Sequence, residues 1–145
     1  MRPAERLDMA DPSFLEQRLD ASTWPIAAGD LAVLLLFFLA GVLQHRTILA
    51  LKIAPIIYVD AAWPFVLGWL VCAPLVGAYS PGGGSAPNSS IPLAIRSWIP
   101  AALVGLVVRV VAVPNAGAAP VFAGVMVVGG SVVLAAWRGL YFLLR

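Results

Sequence analysis

The chain of 145 residues is 61% hydrophobic and only 11% charged, whereas soluble domains are about half apolar and about a quarter charged. So few charges cannot cover a water-facing surface, and the mean hydropathy of +0.95 agrees, so the composition predicts an integral membrane protein. A net charge of +2 excludes the basic footprint of a nucleic-acid-binding protein. One cysteine and one histidine exclude an intrachain disulfide and a metal site built from several such ligands.

Residues 1–24 form a polar N-terminal tail, which we expect to be part of the mature protein. Its first 20 residues mix arginines with five of the chain's seven acids, whereas a signal peptide has a basic start followed at once by an apolar stretch. Asp11 and Pro12 have the pattern of a helix cap and a first-turn proline. This pattern favours a short interfacial helix from Pro12 to Asp20, and a mobile tail is the alternative.

Four apolar stretches follow the tail, each close to the roughly 20 residues that a helix needs to cross a bilayer. They run from about 25 to 44, 56 to 79, 93 to 113 and 120 to 144. A closed barrel is the other structure that lipid permits, but its strands alternate in polarity, and residues 31–43 are apolar on every face. The predicted fold is therefore all-α, with residues 25–145 forming an antiparallel bundle of four transmembrane helices.

The segments between these stretches differ in composition. Residues 80–90, SPGGGSAPNSS, are typical of a flexible loop. Residues 113–120 are a short turn, which predicts that the third and fourth spans form an antiparallel hairpin. Residues 45–55 favour a short helix in the membrane interface, with Arg46 and Lys52 extending to the polar surface.

The distribution of basic residues predicts that both termini are cytoplasmic. With four spans, the tail, the 80–90 segment and the C-terminus share one side. That side holds Arg2, Arg6, Arg18, Arg96, Arg138 and Arg145. The other side holds Arg46 and Lys52, with Arg109 inside the third span. Cytoplasmic loops carry the excess of lysine and arginine, so the side with the termini is the predicted cytoplasmic one.

Charged residues at membrane depth are the main candidates for a site, because they are costly there and face a partner or a cavity. They are Asp30, Asp60, Arg96, Arg109 and Arg138. At about 1.5 Å per residue along a helix, their depths fall into two groups. Asp30 groups with Arg96, and with Arg138 as a further member, near the termini; Asp60 groups with Arg109 at the opposite end. The favoured interpretation is that both clusters fix helix register. The alternatives are a proton or ion relay and recognition of a lipid headgroup, cofactor or partner by the arginines.

His45 and Trp98 are further candidates, as contacts for a ligand or pigment. His45 lies at the end of the first span, where a solvated interfacial histidine is the favoured interpretation and a ligand for pigment or metal is the alternative. Trp98 lies near the predicted start of the third span, where interfacial aromatic residues gather. The sequence carries no recognisable catalytic set or metal-ligand cluster, so we expect a protein that is not an enzyme. Its cofactor is unknown, and pigment or lipid can pack on such a bundle without a sequence motif.

Three short strings resemble the domain of unknown function 3054 family. They are AAWPFVLGW at 61–69, IRSWIP at 95–100 with the later Arg109, and WRGL at 137–140. The resemblance covers roughly residues 28 to 142. It implies a small four-helix membrane protein, in which Asp30 matches an acid early in the first helix and Arg96 and Trp98 match an Arg-x-Trp string. It implies no activity, because the family is uncharacterised.

The sequence favours a non-catalytic accessory or structural subunit of a larger membrane complex, photosynthetic or respiratory in kind. Such a subunit contacts membrane lipids and other membrane protein subunits. One alternative is a small transporter or channel that acts as a homo-oligomer, which needs a polar pathway between the two charged clusters. Another is a membrane enzyme acting on lipids or isoprenoids, which needs a cluster of acids, histidine or cysteine at one interface.

Overall fold

The computed structural model describes residues 13–145, and the expected cap at Asp11 and Pro12 lies outside this range. The helices are α1 Phe14–Arg18, α2 Trp24–His45, α3 Ile48–Ile53, α4 Ile56–Val76, α5 Pro81–Ser85, α6 Pro87–Ala112 and α7 Pro120–Leu144, with a 3-10 turn at Ala21–Thr23. In length and composition α2, α4, α6 and α7 are suited to cross a membrane. The all-α fold with four membrane-spanning helices is thus confirmed.

The four long helices surround one core. The most extensive contacts are between α4 and α6 and between α6 and α7, and α2 packs against both α7 and α4. Successive long helices are antiparallel, so the starts of α2 and α6 meet the ends of α4 and α7. We call this the terminal end of the bundle. The opposite end, with residues 45–56 and 113–120, is the hairpin end.

Small residues let α4 and α6 approach closely. A Cβ atom added at Gly68 would fall on the carbonyl group of Ala101, and one added at Gly105 would fall on the ring of Phe65. Lipid is as apolar as the helices, so membrane helices associate through close packing of this kind rather than through a hydrophobic driving force. The contact between α4 and α6 therefore depends on glycine at these positions.

A layer of aromatic side chains fills the middle of the bundle, and every long helix contributes to it. The members of this aromatic layer are Phe38, Phe65, Trp69, Trp98 and Phe122. Neighbouring ring centroids lie 5.3 to 6.5 Å apart, within the range of favourable aromatic pairs. The centre of the bundle is therefore packed and apolar.

The position of Trp98 corrects the expectation that it is an interfacial residue. Its side chain is fully buried, and Nε1 donates a hydrogen bond to the carbonyl oxygen of Met126 at 2.9 Å. The reason is that α6 begins at Pro87, several residues before the predicted start near 93. Trp98 therefore lies about 16 Å along the helix rather than close to its start.

The 80–90 segment is also corrected, because most of it is helical rather than a flexible loop. The Ser80 hydroxyl caps α5 by accepting a hydrogen bond from the Gly83 backbone nitrogen at 3.3 Å. A Cβ added at Gly84 would lie 2.8 Å from Cγ2 of Thr23. Gly84 thus permits close packing beside the start of α2, and Gly83 permits close packing against the Ala78 carbonyl group, so composition alone misidentified the role of these glycines.

The described part of the N-terminal tail is docked on the terminal end. α1 is shorter than predicted and starts from a capping box formed by Ser13 and Glu16. Arg18 Nη1 donates to the Val76 carbonyl oxygen at 3.1 Å, and the Asp20 backbone nitrogen donates to the Tyr79 carbonyl oxygen at 2.8 Å. These bonds fasten residues 13–23 to the end of α4 and to the segment that follows it.

We predict that Gly68→Val destabilises the protein by about 1–3 kcal/mol, the usual cost of overpacking a core. The added side chain meets the Ala101 carbonyl, which is part of a helix backbone and cannot swing away. Gly124→Val is the matched control, because a Cβ atom there has no neighbour within 4 Å. The measurement is the unfolding midpoint in mild detergent with added denaturant, and equal midpoints for the two variants would contradict the packing argument.

Candidate functional site

A buried ion pair joins the first and last long helices at the terminal end. Arg138 Nη2 lies 2.7 Å from Oδ2 of Asp30, and Arg138 Nε lies 3.2 Å from Oδ1. Both side chains have no solvent-exposed surface. Two parallel N–H···O bonds of this kind combine charge attraction with a fixed geometry, so the pair sets the rotation and depth of α2 against α7.

The remaining donors of Arg138 reach two other parts of the chain. Nη1 donates to the backbone and side-chain oxygens of Ser90, each at 3.0 Å, and to the Ala78 carbonyl oxygen at 3.3 Å. Among residues 13–145, no buried side-chain nitrogen or oxygen lacks a hydrogen-bond partner. One guanidinium group thereby ties α7 to α2, to the start of α6 and to the segment after α4.

Tyr79 completes this arrangement. α4 ends at Val76 because Gly77 adopts a left-handed conformation with φ of 100°, which turns Tyr79 back into the bundle. The Tyr79 hydroxyl accepts a hydrogen bond from Trp69 Nε1 at 2.8 Å and donates one to Asp30 Oδ2 at 3.0 Å. Burial and the neighbouring carboxylate hold the pKa of Tyr79 well above its usual value, so it acts as a neutral donor. We call Asp30, Tyr79, Ser90 and Arg138 the terminal cluster.

Arg96 does not join the terminal cluster, which corrects its expected grouping with Asp30. Its side chain is exposed, and it makes no hydrogen bond or ion pair with Asp30. The inward face of α6 carries Ser90, Ala94, Ser97 and Ala101, and Arg96 lies off that face. Position in the sequence predicts how deep Arg96 lies along its helix, but it does not predict the direction in which the side chain points.

A cavity of about 810 Å³ opens at the hairpin end, and all four long helices line it. Asp60 and Arg109 both line this cavity, yet within the described part of the chain no ion pair joins them. Arg109 Nε donates to the Gly117 carbonyl oxygen at 3.3 Å, and its guanidinium carbon lies 4.9 Å from the ring centroid of Phe122. The expected pairing of Asp60 with Arg109 is thus replaced by a shared cavity.

The cavity is polar at its rim and apolar at its depth. His45 and Arg46 are exposed at the rim, whereas Phe38 and Met126 are buried. Its volume falls within the roughly 300–1,000 Å³ range of small-molecule sites. Within residues 13–145, no group of three or more histidine, cysteine, aspartate or glutamate side chains is placed to hold a metal ion. The cavity therefore offers charge and apolar surface together.

The aromatic layer separates the terminal cluster from the cavity. Phe38 lines the cavity on one side, and Trp69 donates to Tyr79 of the terminal cluster on the other. Sequence reasoning found Asp30 and Arg138 as charges in apolar surroundings but missed Tyr79 and Ser90. The glycine at 77 is the signal that was available, since a glycine after a long apolar run marks a helix end and a turn.

Comparison with known proteins gives one family. The sequence model described as "Protein of unknown function (DUF3054)" matches residues 27–141, which is most of the chain. No curated protein and no solved structure matches.

We predict that Asp30→Asn and Arg138→Met each destabilise the protein by about 3–5 kcal/mol, because each leaves one buried charge or its hydrogen-bonding partners unpaired. The double variant should cost clearly less than the sum of the two. The measurement is a double-mutant cycle on unfolding free energies in detergent. Arg96→Gln serves as the control, since a substitution at this exposed position is expected to change stability by about 0.5 kcal/mol or less. Additive costs at 30 and 138 would contradict the coupling.

We further predict that stability falls as the pH rises above about 10, the ordinary pKa of tyrosine. The raised pKa of Tyr79 means that the unfolded chain loses this proton more readily than the folded one, so alkali favours unfolding. The Tyr79→Phe variant should lose stability more slowly across this pH range, although it starts lower at neutral pH. The measurement is the unfolding midpoint of both proteins from pH 7 to 11, and parallel curves would refute the assignment.

Proposed function

The chain belongs to the DUF3054 family of proteins of unknown function, and we propose that it is a non-catalytic subunit that assembles with a larger membrane complex. The observation that carries this proposal is that the four membrane-spanning helices are buried to different extents inside the bundle. In the most apolar window of each span, 39% of the residues of α4 and of α6 are buried inside the bundle. The corresponding values are 22% for the first span, which contains α2, and 17% for α7. The side formed by α2 and α7 therefore has the most apolar surface left to cover.

The outer surface of α7 favours a helix as the covering partner. Val121, Val125, Val128 and Val132 are all exposed, and their spacing places them along one face of the helix. We call them the valine stripe. Valine is nearly fixed in one rotamer on a helix, so packing a protein partner against this stripe costs little side-chain entropy.

The absence of catalysis is part of the proposal and is supported by how the polar groups are used. Asp30 and Arg138 are committed to each other inside the core. At the hairpin end, His45 and Asp60 line one cavity but share no hydrogen bond in the part of the chain that the structure describes, whereas a catalytic base is held by a second group. The orientation in the membrane is a separate part of the proposal: both termini are cytoplasmic, because basic residues lie near the terminal end.

A homo-oligomeric transporter or channel is the competing function. The aromatic layer lies between the two polar regions of a single bundle, so one copy offers no polar path across the membrane. A path would have to run between copies. The oligomeric state of the purified protein therefore separates the two functions.

We expect the protein, tagged at its C-terminus and extracted in mild detergent, to migrate on a native gel with a large stoichiometric complex. Val128→Trp should lower the co-purified fraction several-fold, because it places a bulky side chain on the valine stripe. Val107→Trp is the matched control on α6, since the two valines are 64% and 63% exposed. Mass spectrometry names the host, and absorption spectra distinguish a pigmented photosynthetic complex from a respiratory one. A lone 15.2 kDa species or a homo-oligomer would overturn the subunit role.

A further inference from the structure

The two charged residues Asp60 and Arg109 in the hairpin-end cavity have hydrogen-bonding atoms that no other residue of the described chain pairs with. Asp60 lies near the start of α4 and lines the cavity, and the structure gives it no ion pair or hydrogen bond within residues 13–145. Arg109 uses Nε for the Gly117 carbonyl oxygen, which leaves Nη1 and Nη2 for another acceptor. A charge at membrane depth is costly unless it meets a partner, so both groups are placed to bind something that enters the cavity.

We propose that this cavity binds the headgroup of a zwitterionic phospholipid, with Asp60 holding the ammonium group and Arg109 the phosphate. An anionic ligand would leave Asp60 unpaired and repelled, and a cationic ligand would do the same to Arg109. A headgroup with both charges satisfies both residues. Arginine suits phosphate because its planar group donates two parallel hydrogen bonds, and Arg46 at the rim adds a second positive charge.

The packing of α2 against α7 gives the lipid chains a way in. A Cβ added at Gly29 would strike Trp137, and one added at Gly129 would strike Phe37, so the helices touch at these levels. Gly41 lies one turn beyond Phe37 on α2, toward the hairpin end, and a Cβ added there meets no atom within 4 Å. The close contact of α2 and α7 has ended there.

This separation makes the cavity continuous with the outer surface of the bundle. Gly41 of α2 and Val125 of α7 are both exposed, and both line the cavity. Lipid chains can enter this opening beside the partner that covers the valine stripe, and Phe122 and Met126 extend the apolar lining inward. A phospholipid can therefore place its headgroup at the charged rim while its chains stay in the bilayer. A water-soluble zwitterion would gain nothing from this side opening.

Native mass spectrometry of the purified protein tests the proposal. The probes are phosphatidylethanolamine and phosphatidylglycerol with identical chains, added in equal amounts to the delipidated protein in detergent. We expect about a tenfold preference for phosphatidylethanolamine, the effect of one charge-assisted contact. Asp60→Asn should bring the ratio of the two bound lipids close to one, and Arg109→Gln should weaken the binding of both. Arg96→Gln is the control, since Arg96 does not line the cavity.

Two further measurements test whether lost binding is due to misfolding and whether the protein recognises a lipid or the free headgroup. Gly41→Leu adds a side chain where there is open space, so it should leave folding intact and reduce the binding of both lipids. Glycerophosphoethanolamine, the same headgroup without chains, should fail to displace phosphatidylethanolamine at equal concentration. An unchanged lipid ratio in Asp60→Asn, unchanged binding in Gly41→Leu, or displacement by the chain-free headgroup would each overturn the proposal. Val128 does not line the cavity, so loss of complex assembly in Val128→Trp and loss of lipid preference in Asp60→Asn are separate failures.

Discussion

The buried pair of Asp30 and Arg138 is the interaction on which the rest of the bundle depends. Removing two charges from water costs several kcal/mol for each ion, and their attraction compensates only when the geometry is good and every remaining donor is bonded. The structure meets that condition, because the guanidinium also binds Ser90 and Ala78, and Tyr79 donates to the carboxylate. Each of these contacts comes from a different part of the chain. Satisfying one ion pair therefore fixes the positions of all four long helices at this end.

The two ends of the bundle treat polarity in opposite ways. In the terminal cluster, Asp30 and Arg138 are paired and fully buried, and their remaining polar atoms are hydrogen-bonded. At the hairpin end, Asp60 and Arg109 share a cavity without touching. The aromatic layer insulates one region from the other. Under the proposed lipid binding, the headgroup occupies the open hairpin end without disturbing the paired charges at the terminal end.

Sequence reasoning predicted the four long helices well, because the length of an apolar run identifies a helix that can cross a bilayer. It could not predict the direction in which a side chain points, since these spans are apolar on nearly every face. That is why Arg96 and Arg138 were both grouped with Asp30, although only Arg138 pairs with it. Trp98 and the glycines at 82–84 were misplaced for another reason: α6 begins at Pro87, before the predicted start near 93, and Gly83 and Gly84 pack closely against Ala78 and Thr23. The sequence predicts a charged pair of Asp60 and Arg109 but not the cavity that both residues line, because composition carries no signal of a gap between helices.

The long separation between Asp30 and Arg138 has a consequence for biosynthesis. The two residues are 108 positions apart in the chain, and the acid is made first. At roughly 5 to 20 residues per second, the ribosome needs roughly 5 to 20 seconds to deliver the arginine after the aspartate. Throughout that interval α2 carries an acid without its partner, so the first span cannot settle into its final packing while the chain is still emerging. The last helix to be synthesised closes the bundle, and a chain truncated before Arg138 leaves the Asp30 carboxyl group without the guanidinium that pairs with it.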